Sequence, residues 1–214
     1  MIPSVLPTYN RAPLTFVKGE GTWLIEADGR RFLDLGAGIA VNALGHAHPA
    51  LVKALTDQAQ ALWHTSNLYH IPQQEALADR LVAETFADTA FFCNSGTEAC
   101  ELAVKMARKY FYEAGQPERV EIITFSGSFH GRSSAGIAAA GSEKMTKGFG
   151  PLLPGFVHLD LGDSDALEAA KEALELAEGE RMLFPRYAYE GGYEAVSQAL
   201  MKHLRNITED KRLV

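Results

Sequence analysis

The sequence predicts an α/β fold, with a mainly parallel sheet and helices on both of its faces. The prediction depends on the region after about residue 88, where strand, turn and helix patterns alternate along the chain. A short apolar run at 90–93 is continuously hydrophobic, as strands buried on both faces are, and the segment 120–125 repeats the strand pattern. Between them, apolar residues recur at helical spacing from Ala99 to Tyr110, which predicts an amphipathic helix ending near Gly115.

The first part of the chain has a different pattern. Three prolines within residues 1–21 predict an extended arm. A β-hairpin follows, because the β-rich segments 22–26 and 31–35 flank Asp28 and Gly29, a pair that tolerates the positive φ of a tight turn.

Four more helices are predicted from apolar spacing and end signals. One begins at Pro49 and extends to about residue 63, and a second begins near Pro72. Asp163 or Ser164 can cap a third, which runs to about Ala177. The last is predicted over residues 192–206.

Composition excludes several function classes. The chain has 214 residues, of which 47% are hydrophobic and 22% are charged, and this balance is typical of a folded globular protein. The net charge of −7 argues against a nucleic-acid surface, and the acids concentrate in one run at 163–180 that reads as a solvated helix face. No stretch reaches the roughly 18 apolar residues that span a bilayer, and the start lacks a signal-peptide pattern. We therefore expect a cytoplasmic protein with no membrane or nucleic-acid partner.

The first candidate site is the turn of Ser95, Gly96 and Thr97, between an apolar run and a helix. In parallel sheets, ligands bind where strands end and helices begin, since helix N-termini present unpaired N–H groups to anions. Gly96 would let a phosphate approach the backbone, and the two hydroxyl groups are further donors. The alternative at this point is that Ser95 or Thr97 only caps the helix.

The second candidate site follows the next apolar run, at 126–132. Phe129 offers an aromatic face for stacking on a planar ring, and Arg132 can hold a carboxylate through two parallel hydrogen bonds. Ordinary packing of Phe129 and a surface ion pair of Arg132 are the alternatives. Ser95 or Ser128 with a histidine would suit a serine hydrolase, although the spacing of a nucleophile elbow is missing.

The histidine and cysteine patterns predict no metal site. His46 and His48 are two residues apart in a probable turn, but no third ligand is evident nearby. Cys93 and Cys100 lack the paired spacing of a zinc site and read as reduced thiols.

Taken together, the motifs resemble the acetylornithine aminotransferases among the class III pyridoxal-phosphate (PLP) aminotransferases. The resemblance covers about residues 9–165 and is carried by GAGIAV at 36–41, GHAHP at 45–49, NSGTE at 94–98, FHGR at 129–132 and GFGPLLPG at 148–155. It implies the fold type I of PLP-dependent transferases. It also implies an N-terminal arm and hairpin at 1–48, part of a small domain, and an incomplete large PLP-binding domain at 49–214.

The resemblance assigns roles to the candidate residues. It implies that Ser95, Gly96 and Thr97 bind the PLP phosphate, that Phe129 stacks on the ring, and that Arg132 binds the substrate α-carboxylate. His130 is also expected to bind the cofactor. The implied reaction transfers an amino group between N-acetylornithine, or a similar acylated diamino acid, and 2-oxoglutarate, in arginine biosynthesis. Such enzymes act as homodimers on an amino acid and a 2-oxo acid.

Two family residues have no counterpart in this sequence. The family places its Schiff-base lysine and the aspartate that pairs with the pyridinium nitrogen in its second half, and this chain has about half the family's length. After Asp165 the sequence departs from the family pattern, and Phe184 stands where the family has a glutamate. We therefore expect this chain alone to be catalytically incomplete, with a non-catalytic PLP-binding or assembly module as the alternative.

Overall fold

A computed structural model describes residues 4–174 of the chain. The chain divides into two compact units, Met1–Asp88 and Thr89–Val214. The predicted domain division at residue 48 concerns a different boundary and stays a prediction. The predicted helix at 192–206 and the sequence around Phe184 lie outside the described residues.

The first unit contains a three-stranded antiparallel sheet in the order β1 (Phe16–Glu20), β2 (Trp23–Glu26) and β3 (Arg31–Leu33). The hairpin of β2 and β3 is the predicted one, with Leu24 opposite Phe32. Gly29 has a φ of 90°, as the predicted turn requires. Strand β1 lies within the segment predicted to be an extended arm, and it is recognisable only through its pairing with β2.

A loop around His46 is fastened to this sheet. The backbones of Gly21 and His46 exchange two hydrogen bonds, at 3.0 and 2.7 Å. The His46 Nε2 atom lies 2.7 Å from Asp34 Oδ2. The other carboxylate oxygen of Asp34 accepts from the amides of Gly36 and Ala37, and these bonds open α1 (Ala37–Ala40), a single turn whose φ angles are positive.

Two longer helices complete the first unit, α2 (Pro49–Ala61) and α3 (Pro72–Glu84). Both begin at the predicted prolines, and His48 is the N-cap residue of α2. Their apolar side chains remain exposed; Leu55 is 72% exposed, for example, and Trp63, just beyond α2, is 87% exposed.

The second unit is α/β. It contains α4 (Gly96–Glu113), β4 (Ile122–Phe125), α5 (Ser134–Ala139), α6 (Glu143–Thr146), β5 (Phe156–Leu159) and α7 (Ser164–Ala173). Strands β4 and β5 are parallel, with Ile122 opposite Phe156 and Phe125 opposite Leu159. Helix α7 is capped by Asp163, whose Oδ1 accepts from the Ala166 amide at 2.9 Å.

The strand predicted at 90–93 is wrong: this segment is irregular, and Phe91 is 64% exposed. A strand requires a neighbour for its backbone hydrogen bonds. Within residues 4–174, β4 pairs with β5 and leaves no partner for this segment. Strand β5 and the short helix α5 were not predicted, and β5 is defined by its pairing with β4.

The core of this unit lies between α4 and the parallel strands. Val104 and Ala107 of α4 pack against Ile122 of β4, and Phe156 of β5 covers them. Arg108 fixes the entry to both strands, since its Nε donates to Val120 O at 3.1 Å and its Nη2 donates to Pro154 O at 2.7 Å. Arg108 therefore joins α4 to the N-terminal ends of β4 and β5. The second candidate site follows the opposite, C-terminal end of β4. In the part of the chain that is described, no helix has the length and hydrophobicity to cross a bilayer.

Candidate functional site at the carboxyl end of β4

The N-terminus of α4 is built by a capping box. Ser95 is the N-cap residue, and its Oγ accepts a hydrogen bond from the Glu98 amide at 3.3 Å. The Glu98 carboxylate reaches back to the Asn94 amide at 2.6 Å. The capping role considered for Ser95 is thus confirmed. It uses the hydroxyl oxygen as an acceptor, so the hydroxyl proton remains available for a ligand.

The first turn of α4 also presents backbone donors. Helical bonding leaves the first amides of any α-helix without intrahelical acceptors, and Gly96 and Thr97 occupy these positions. Space beside Gly96 is open, because a Cβ built there would have no atom within 4 Å. Eighteen aligned residues add the positive end of a helix dipole, which favours an anion by about 0.3–1 kcal/mol.

The loop 126–132 leaves β4 with its side chains alternating between inside and outside. Ser128 and His130 are buried, at 3% and 6% exposure, whereas Phe129 is 44% exposed and Arg132 is exposed. Phe129 is therefore not packed into the core. Of the three residues of this loop that were predicted to bind ligands, Phe129 and Arg132 face outward, whereas His130 faces the interior.

Contact between Thr97 and Gly131 brings the two candidate motifs together. Gly131 has a φ of 99°, and a Cβ built on it would lie 2.4 Å from Thr97 Oγ1. The absence of a side chain at Gly131 is what allows this approach. The hydroxyl group of Thr97 and the outward residues of loop 126–132 therefore share one edge of the second unit.

A directed chain of hydrogen bonds links the buried residues of the loop. Ser128 Oγ donates to Phe125 O at 2.6 Å and lies 2.7 Å from His130 Nε2. Phe125 O is a carbonyl oxygen and can only accept, so the single hydroxyl proton of Ser128 lies in that hydrogen bond. The proton between Ser128 Oγ and His130 Nε2 must then belong to His130 Nε2. His130 is then a donor toward Ser128 and cannot act as its base, which contradicts the hydrolase alternative at Ser128.

Below the loop, the His130 ring borders a small cavity between α4, the strands and α5. Its lining is mostly apolar: Cys100, Val104, Ile122, Thr124, His130, Ala135, Gly136, Ala139 and Phe156. Burial lowers the pKa of His130 from its ordinary value of 6.5 and raises the pKa of the Cys100 thiol. His130 is thus held as a neutral donor near neutral pH, and Cys100 stays protonated.

The lowered pKa of His130 predicts a loss of stability on acidification. Between pH 6.5 and the lower pKa of the folded state, the unfolded chain binds a proton that folded His130 does not bind. The free energy of unfolding should therefore fall as the pH decreases through 6.5, and the slope contributed by His130 should disappear at pH values well above 6.5. Urea unfolding at several pH values measures this slope.

His130→Gln is the matched control for this prediction, because its amide can donate to Ser128 but does not titrate. The variant should show a smaller decrease of stability between pH 6.5 and 5.5 than the parent chain. Equal slopes for the two proteins would contradict the prediction.

His46, which lies two residues before His48 in the sequence, has a structural role in the first unit. His46 is bound to Asp34, and this hydrogen bond is the main cause that lowers the pKa of the Asp34 carboxyl. No group of three or more histidine, cysteine or acidic side chains is arranged for a metal within residues 4–174. Both cysteines are free thiols.

Two residues of the site were missed by the sequence reasoning. Ser128 was considered only as a nucleophile, and Gly136 was not considered. A Cβ on Gly136 would lie 2.7 Å from His130 O, so this glycine lets α5 approach the loop. The small residues that surround Ile137 in the segment 135–141 were the available signal for such close packing.

The donor set of this site fits PLP. A helix N-terminus with unpaired amides, the Thr97 hydroxyl and open space beside Gly96 suits a phosphate group. Phe129 supplies an exposed aromatic face on the adjoining loop, which suits a planar ring.

Comparison with known proteins gives consistent results. A sequence model of the family described as Aminotransferase class-III matches residues 6–214, including the segment after Asp165. Acetylornithine aminotransferase from Rhodobacter capsulatus is 66% identical over 210 residues, which are 98% of this chain and 52% of that protein. The Agrobacterium fabrum protein of the same name is 50% identical, with 97% and 51% covered. The chain thus spans about half the length of the curated relatives it matches.

Solved structures agree with this relationship. Ornithine aminotransferase from Toxoplasma gondii ME49 superposes with a TM-score of 0.76 and 25% identity, covering 94% of this chain and 49% of that one. N-acetylornithine aminotransferase from Stenotrophomonas maltophilia superposes with a TM-score of 0.64 and 35% identity, covering 91% and 49%. These matches confirm the predicted α/β fold of the PLP-dependent fold type I.

Proposed function

Because this chain belongs to the class-III aminotransferase family, we propose that it binds PLP and takes part in amino-group transfer between N-acetylornithine, or a similar acylated diamino acid, and 2-oxoglutarate. The observation that carries the proposal is the meeting of Thr97 with Gly131. It joins an anion-binding helix N-terminus to a loop that exposes an aromatic ring and a guanidinium group.

Each side chain has a distinct part in this proposal. The amides of Gly96 and Thr97, with the hydroxyls of Ser95 and Thr97, hold the phosphate. Phe129 covers one face of the ring, and Arg132 receives the α-carboxylate of the amino acid through two parallel hydrogen bonds. Bound PLP would supply the electron sink that lets an amino acid lose its α-proton.

His130 is proposed to serve the cofactor indirectly. Its imidazole is buried beneath the loop and donates to Ser128, so we assign it a role in holding the loop. The homodimer and the cytoplasmic location stay predictions of the sequence.

Titration with pyridoxine 5′-phosphate tests the cofactor site. This probe carries the ring and the phosphate but lacks the aldehyde, so it cannot react with surface lysines. We expect saturable binding that inorganic phosphate displaces and unphosphorylated pyridoxine does not. An absence of saturable binding would remove the proposed function.

A second assay tests whether this chain alone is catalytically incomplete. The chain is incubated with PLP, N-acetylornithine and 2-oxoglutarate, and the formation of glutamate is compared with that in free PLP. We expect cofactor binding without glutamate formation above the level of free PLP, and robust formation above that level would contradict the expected incompleteness.

A further inference from the structure

We propose that Ser128 and His130 form a buried positioning pair that sets the direction of Phe129. The inference rests on the proposed function in one respect, namely that the ring facing Phe129 is that of PLP. It assigns His130 and Ser128 to the support of the site rather than to contact with its ligand.

The first observation is the alternation along the loop. Ser128 and His130 flank Phe129 in sequence, and both are buried while Phe129 is not. Phe129 is thus the exposed residue between two neighbours whose side chains are held inward. The inward pair therefore determines where the aromatic face lies.

The second observation is that the pair closes the loop on itself through side chains. Ser128 bridges Phe125 O and His130 Nε2, so its hydroxyl joins the last residue of β4 to the residue after Phe129. The Ser128 amide also donates to Phe125 O, at 3.2 Å. Loss of the hydroxyl would leave the buried imidazole N–H without this acceptor.

The third observation is that the backbone on either side of the pair is fixed by other means. Ser126 donates to Leu159 O at 2.8 Å, and Gly127 donates to Ala140 O at 3.0 Å. Beyond the pair, the backbone at His130 and Gly131 packs closely against Gly136. The side-chain bridge therefore controls the short stretch between two anchored ends, where Phe129 lies.

The test compares two probes on five variants, four single and one double. Pyridoxine 5′-phosphate reports both ring and phosphate contacts, and inorganic phosphate reports the helix N-terminus alone. Ser128→Ala and His130→Leu should each weaken binding of the ring-bearing probe by about tenfold, with phosphate affinity changed less than about twofold. His130→Gln, which keeps a donor, should restore binding to within about threefold of the parent chain.

Phe129→Leu, alone and combined with Ser128→Ala, completes a double-mutant cycle. If the pair acts through Phe129, Ser128→Ala should weaken binding no further once Phe129 has been replaced. Full additivity of the two substitutions, or equal weakening of both probes by Ser128→Ala, would overturn the inference.

A ligand-free measurement keeps the inference testable if the cofactor proposal fails. Amide hydrogen exchange of residues 128–130 should become about tenfold faster in Ser128→Ala, with the exchange of α4 unchanged. Unchanged exchange in the loop would refute the positioning pair. Absence of probe binding to the parent chain would refute the proposed function and leave this exchange result to decide the pair.

Discussion

Replacement of Gly131 with alanine should lower the free energy of unfolding by about 3 kcal/mol or more. Two costs add at this position. The φ of 99° strains any residue with a Cβ, by about 1–3 kcal/mol. The new methyl group would also lie 2.4 Å from Thr97 Oγ1, and overpacking of this kind costs about 1–3 kcal/mol. Urea unfolding of the two proteins measures the difference.

Gly127→Ala in the same loop separates the two costs. Gly127 also has a positive φ, 71°, but a Cβ there would meet no atom within 4 Å. It should therefore show only the backbone strain, about 1–2 kcal/mol. If both alanine variants lose the same stability, Thr97 does not pack against Gly131 as described.

Replacement of Gly96 with aspartate should abolish most phosphate binding while preserving the helix. The side chain enters open space at the first position of α4, where a carboxylate interacts favourably with the helix dipole by about 0.3–1 kcal/mol. The same charge repels a bound phosphate. At an effective dielectric of about 20, screened by solvent, this repulsion amounts to about 1–3 kcal/mol, or roughly 5- to 150-fold in affinity.

Gly96→Asn is the isosteric control, because it has the same shape without the charge. Binding of inorganic phosphate and pyridoxine 5′-phosphate is measured for both variants, and circular dichroism monitors helix content. The aspartate variant should bind both ligands more weakly than the asparagine variant. Equal affinities would show that the phosphate does not bind at this helix N-terminus.

The elements that could be predicted from the sequence are those fixed by local chemistry. The hairpin depends on a turn at Asp28 and Gly29, and the starts of α2 and α3 depend on prolines whose φ suits a first helical turn. The strands behave differently. The apolar segment at 90–93 has no partner in the described region, whereas β5 exists through its pairing with β4. A segment becomes a strand only when a second segment pairs with it, so an apolar segment taken alone does not establish a strand.

The same distinction applies to the site. Residue types identified Gly96, Thr97, Phe129 and Arg132 as candidates, since each type has a characteristic partner. Burial was not evident for His130, because the sequence cannot show that α5 closes over the loop through Gly136. The direction of the Ser128 hydroxyl likewise depends on a carbonyl oxygen whose position only the folded backbone defines.

The parallel pairing of β4 and β5 has a consequence for synthesis on the ribosome. The cap of α4 needs only neighbouring residues, so the turn that we propose to bind phosphate can form early. Loop 126–132 is anchored through Ser126 to Leu159, which emerges later. In a nascent chain the first turn of α4 can therefore form before the loop that carries Phe129, and the proposed contact of Phe129 with a ring would depend on β5 having been translated and docked.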